Sequence, residues 1–151
     1  MGNNWKITDT LTKVFADEVP DGQGSIRLST LHRETVSCVI AYLGAADWGR
    51  YWKVSVKAPE KIETRLRRIE LVPSAYPCHK EQDDNYLRIV PGMYPDLLRD
   101  LDTEDDGADK KYLTKEVPGQ WRSLWLDVTV DAELAGGDYA IMIETETENG
   151  E

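Results

Sequence analysis

Cysteine and histidine are scarce in this chain, two of each among 151 residues. A structural zinc site draws four ligands from that set at short, regular spacings. His32, Cys38, Cys78 and His79 match no such spacing, so no zinc is expected. Cys38 reads as a small buried hydrophobe in an apolar strand and Cys78 as a loop residue, which leaves one disulfide open without pointing to an oxidising compartment. Basic residues are also in deficit. Lys plus Arg number 18 against 28 Asp plus Glu, a net charge of -10. Such a balance repels phosphate backbones and anionic lipid surfaces, so neither nucleic acid nor a membrane is an expected partner. No apolar run approaches the roughly 20 residues of a membrane helix. The longest, Cys38 to Ala46, is short and broken by Gly44. The opening MGNNWK has no basic stretch followed by an apolar core, and Lys6 stands where a myristoylation signal wants Ser or Thr, so the cytoplasm is the expected location. Glycine-rich phosphate loops and the G-x-S-x-G elbow are missing too. No cofactor is expected.

What is present is alternation. Leu124, Leu126, Val128 and Val130 alternate with Trp125, Asp127, Thr129 and Asp131; beyond Gly136-Gly137, Tyr139, Ile141 and Ile143 alternate with Ala140, Met142 and Glu144. Period-2 alternation on both sides of a turn predicts a strand pair over 121–144. Other strands are expected from Trp5 to Phe15, from Ser25 to Thr30, around Cys38 where both faces are apolar, and from Tyr51 to Ala58 with Trp52, Val54 and Val56 facing inward. Between Pro59 and Pro73 helical spacing competes with two strands divided by a bulge at Arg67-Arg68; strand is preferred because Ala58 is a poor helix cap. Ser74 to Gly119 reads as one long irregular connection with a strand only at Tyr86 to Val90. The length suits a single domain with one core. Short alternating segments with prolines at their ends predict an all-β protein, an antiparallel β-sandwich.

Candidate sites are few. Asp102-Thr103-Glu104-Asp105-Asp106-Gly107 places acids as calcium loops do, but a twelve-residue loop begun at Asp102 would end at Leu113 in place of the bidentate Glu, so a solvated acidic loop is expected and no metal is assigned. His32 and His79 lack the partners of a catalytic triad, and no pair can be chosen from 28 acids for a glycosidase. Aromatic residues carry more information. Exposed rings stack on the apolar faces of sugars, and Trp48, in the loop DWGR, has no apolar alternation to bury it. Tyr51 lies nearby, and Trp125 is out of phase with its leucines. Trp125 is either exposed or covered by the long connection carrying Tyr94, Leu97 and Leu98, and the cover is preferred because a Trp is large.

Three segments in this order resemble the N-terminal domain of glycoside hydrolase family 123. They are RETVSCVIAYLG, VPGMYPDLLRDL, which is similar to that family's Pro, Tyr-Pro-Asp and Leu pattern, and WRSLWLDVTVDAELAGGDYAIMI. Trp5 and Lys13 to Asp17 fit as well, while Asp131 departs from a family proline. The resemblance implies an immunoglobulin-type sandwich without catalytic residues, spanning 1–146, with 147–151 starting a linker to a (β/α)8 barrel that is absent from this chain. A barrel needs about 250 residues, and in that family it carries the Asp-Glu pair for substrate-assisted hydrolysis of N-acetyl-β-galactosaminides. The implied function is an accessory, non-catalytic domain whose partner is the following catalytic domain of the same polypeptide. Tyr94, Pro95, Leu97 and Leu98 are its expected interdomain contact. The alternative is an independent carbohydrate-binding module using Trp48, Tyr51 and Trp125.

Overall fold

A computed structural model describes residues 5–44, 51–76, 85–105 and 110–147. These form a two-layer antiparallel β-sandwich. Its strands are β1 (Trp5–Thr8), β2 (Thr35–Leu43), β3 (Tyr51–Lys57), β4 (Ile62–Ser74), β5 (Gly92–Asp100), β6 (Asp102–Asp105), β7 (Lys110–Lys115), β8 (Trp121–Val130) and β9 (Met142–Thr147). One sheet has five strands in the order β1-β2-β8-β4-β5 and the other four in the order β6-β7-β3-β9. Among the described residues no helix is long and apolar enough to cross a membrane.

β2 and β8 form the centre. Their register pairs Cys38 with Leu126 and Ile40 with Leu124, and these four side chains point into the space between the sheets with Tyr42, Leu66 and Val128. From the facing sheet Val54 and Tyr112 meet them. Tyr42 is almost fully buried, and its hydroxyl shares a hydrogen bond with Thr114 Oγ1 at 2.7 Å and donates to the Lys115 carbonyl at 3.2 Å. A buried hydroxyl must find such partners, and here they bind the two layers together. Trp5 stacks on Tyr42 at 5.0 Å and meets Trp52 edge to face at 5.5 Å.

The apolar reading of both faces of β2 has a direct cause. Val39 and Ala41 point away from the main core and are covered by Val14 and Trp121, a second buried cluster on the outer face of the five-stranded sheet. For that cover to form, the chain must leave β1 early. The expected strand from Trp5 to Phe15 therefore stops at Thr8. Asp9 Oδ1 then accepts bonds from the Leu11 and Thr12 amides and the Thr12 hydroxyl, a turn that sends Val14 and Phe15 across the sheet.

Other expectations are corrected. The stretch 121–144 is not a strand pair: β8 already has β2 and β4 on its two sides, so the chain crosses through the Gly136-Gly137 region to the other sheet, where β9 pairs with β3. Ser25 to Thr30 is not a strand, and Ile26 and Leu28 stay more than a third exposed. β4 is one continuous strand, with its register shift against β5 between Glu70 and Leu71 instead of at Arg67-Arg68. The Ser74 to Gly119 stretch contains β5, β6 and β7, and Tyr86 to Val90 is not a strand. Pro95 hid β5, although an edge strand tolerates proline. The acidic run hid β6, whose Glu104 lies opposite Lys111 and pairs with Lys53 at 2.8 Å.

Gly44 follows β2 and touches the 117–120 turn, with its amide bonded to the Gln120 carbonyl at 3.0 Å. A Cβ at this position would collide with the Val117 carbonyl. Gly44→Ala is expected to destabilise the domain by about 1–3 kcal/mol through overpacking, as read by chemical denaturation. Burial pushes the Cys38 thiol up to about 11, so in a Cys78→Ala background Cys38 should resist thiol reagents at pH 8 and react once denaturant unfolds the chain. Fast labelling of the folded protein would contradict its placement.

Candidate functional site

The outer face of the five-stranded sheet carries both the cover and the polar side chains with the most organised geometry. Ser37 on β2 lies directly opposite Asp127 on β8, and Arg67 on β4 lies opposite Trp125. Strand alternation puts all four on one face. The Asp127 carboxylate accepts from Ser37 Oγ at 2.7 Å, from Trp125 Nε1 at 2.7 Å and from Arg67 Nη2 at 2.6 Å. Its side chain is only 16% exposed. Burial alone would raise its pKa, but the bonds from Ser37, Trp125 and Arg67 and the nearby guanidinium charge outweigh that and hold it below 3.8. A carboxylate so placed stays ionised, with three of its roughly four acceptor sites taken inside the protein. It is a fixed anion, not an acid poised to give up a proton.

Trp125 stands on this face beside the apolar cluster. It is partly buried and packs against the cluster of Val14, Val39, Ala41 and Trp121. Its indole N–H is already committed to Asp127. Tyr51 is partly buried, and Lys115 Nζ sits 5.0 Å from its ring centre. Trp48 lies outside the described residues, as do Cys78, His79, Asp106 and Gly107. Tyr51 and Trp125 belong to opposite sheets and form no common aromatic platform.

The second candidate surface is built around β5. Pro95 is buried, and its carbonyl accepts from Lys13 Nζ at 3.2 Å. Tyr94 is partly buried, meets Phe15 edge to face at 5.8 Å and donates to the Val90 carbonyl at 2.5 Å. Arg88 lies over the other side of this arrangement, 3.9 Å from the Phe15 ring centre, and pairs with Asp17 at 2.8 Å and with Glu18. Thus Tyr94 and Pro95 hold the 85–90 segment and β5 onto the Phe15 segment. Leu97 and Leu98 are exposed, and so are Leu87, Ile89, Val90 and Met93. Leu87, Ile89 and Val90 belong to an expected strand that does not form, and Met93 to an expected irregular connection, so the sequence reading names none of the four as exposed. Their signal was apolar content alone.

Among the described residues no group of three or more His, Cys, Asp or Glu could hold a metal ion. No protein-family model matches the sequence, and no curated protein matches it.

Asp127→Asn removes the charge that three donors serve. It should cost about 1–3 kcal/mol, the range for hydrogen bonds to a charged group. The pH dependence has a defined sign. The folded pKa lies below the unfolded one, so the contribution is complete above the ordinary carboxylate value of 3.8 and is lost as pH falls through the depressed folded value. Melting curves between pH 7 and pH 2 should therefore show a smaller acid loss in Asp127→Asn than in the parent, and equal losses would contradict the network.

Proposed function

We propose that this domain is a non-catalytic accessory module that packs, through the apolar strip from Leu87 to Leu98, on a following catalytic domain of a glycosidase-like enzyme. The observation that carries the reading is the concentration of exposed large apolar side chains. Leu87, Ile89, Val90, Met93, Leu97 and Leu98 are all more than a third exposed within one short piece of chain. Single exposed apolar residues need no explanation, but this many within one short segment support a contact region at this edge of the sheet, with Leu97 and Leu98 on its opposite faces. The strip is also held in place: Tyr94 and Arg88 tie its two halves to Phe15, so little ordering entropy remains to be lost on docking. The resemblance of VPGMYPDLLRDL to the family 123 segment adds the kind of partner, a (β/α)8 barrel.

The carbohydrate-binding alternative has less support. Of its three aromatic residues, Trp125 is engaged by Asp127 and Tyr51 has Lys115 over its ring.

The test compares this chain alone with the same chain joined to the polypeptide proposed to follow it. Leu97→Asp together with Leu98→Asp should change the stability of the isolated domain by only about 0.5 kcal/mol per site, as exposed positions do. In the joined protein the pair should release the domain, seen as faster hydrogen exchange over 87–98. Equal exchange with and without the following polypeptide would end the accessory reading. Saturable binding of N-acetylgalactosamine oligosaccharides by the isolated chain would favour the alternative.

A further inference from the structure

A β-sandwich has four sheet edges, and each must be blunted or used. β1 is four residues long and its outer edge is taken by Gln23, whose amide and carbonyl both bond Ile7. β5 carries the buried Pro95 and is held by Lys13. β6 is only four residues long. β9 is different. It runs six residues without proline, pairs with β3 on one side, and has no strand on the other among the described residues. Ile143 on β9 and Ile141 just before it pack against the main core yet remain partly exposed.

The outer face of this sheet tells which strand would fit. Moving across it, β6 presents Asp102 and Glu104, β7 presents Lys111 and Lys115, β3 presents Lys53 and Lys57, and β9 presents Glu144 and Glu146. The rows engage one another, with Lys53 to Glu104 at 2.8 Å, Lys57 to Glu144 at 2.8 Å and Lys111 to Glu146 at 3.3 Å. The pattern ends in acids at both edges. A second copy pairing antiparallel along β9 would set glutamates against glutamates, which is destabilising. A strand bearing lysine or arginine at alternate positions would continue the pattern.

We propose that the free edge of β9 is a strand-addition site for an extended segment of a partner protein, with basic residues facing Glu144 and Glu146 and β-branched apolar residues covering Ile141 and Ile143. Main-chain hydrogen bonds would hold it, and the alternating side chains would select it. This surface lies on the opposite sheet from β5 and does not depend on the accessory reading.

The probe is a short fluorescent synthetic peptide alternating lysine with valine, titrated against the intact chain and followed by anisotropy. Two companion peptides serve as controls, one with glutamate in place of lysine and one N-methylated at alternate amides. Saturable binding by the first peptide alone, with slowed amide exchange at 142–146, is the expected result. Glu144→Lys with Glu146→Lys should weaken it about tenfold, since two attractive cross-strand pairs become repulsive. Absence of binding, equal binding of the N-methylated or acidic peptide, or binding without protection of β9 would each overturn the proposal. Self-association of the parent chain through β9, seen by sedimentation with protection of the same amides, would make a second copy the occupant and overturn it too.

Discussion

β2 is apolar on both faces, and the need to cover both organises the molecule. One face is served by the second sheet, in the ordinary way of a sandwich. The other, carrying Val39 and Ala41, can be served only by chain laid across the outside of the sheet. That requirement ends β1 at Thr8, places Val14 and Phe15 over β2 and β8, and brings the Tyr94 ring and the Arg88 guanidinium against Phe15. Arg88 and Tyr94 are recruited in turn, and they fix β5 with its neighbouring 85–90 segment. The exposed strip from Leu87 to Leu98 is thus held by the same packing that hides Val39. A loss of cover at Val14 would be felt at β5.

The layers are joined by a specific polar contact as well as by apolar area. Tyr42 reaches from β2 to Thr114 and Lys115 on β7, and burial raises the pKa of its phenol despite the bond from Thr114. A hydroxyl at this depth is tolerated only because its partners are supplied by the opposite sheet. It therefore favours one position of one sheet over the other, where apolar packing alone would permit several.

The sequence was most legible where a strand has one simple job. β3 reads correctly because Trp52, Val54 and Val56 face a core and Lys53, Ser55 and Lys57 face water. β2 reads correctly because β-branched residues crowd it. The two-layer class follows from many such strands. What alternation cannot reveal is which strand pairs with which. Residues 121–144 look like a hairpin locally, yet β8 had both sides occupied by β2 and β4, a fact settled by residues far away in the chain. β5 and β6 were hidden because edge strands are disguised by the proline and acids that keep edges from sticking. Of the site residues, Leu97 and Leu98 were legible as exposed apolar positions. The bonds that converge on Asp127 were not, since Ser37, Arg67 and Trp125 come from three strands whose register only the fold supplies.

Asp127 also shows why a partly buried carboxylate beside a Trp and an Arg should not be taken for chemistry. A general acid requires a proton that is held near neutral pH and can leave; a general base requires an open lone pair. Three donors at 2.6–2.7 Å, one of them cationic, work against both. They lower the pKa and take three of the roughly four acceptor sites. What the cluster does instead is let a half-covered face hold a charge whose partners come from the protein itself. Ser37, Trp125 and Arg67 come from β2, β8 and β4, so their common acceptor ties three adjacent strands together at the place where the apolar cover over Val39 ends. The outer face changes from apolar to polar across this one side chain, and Trp125 stands on the boundary with its ring in the cover and its N–H on the acid.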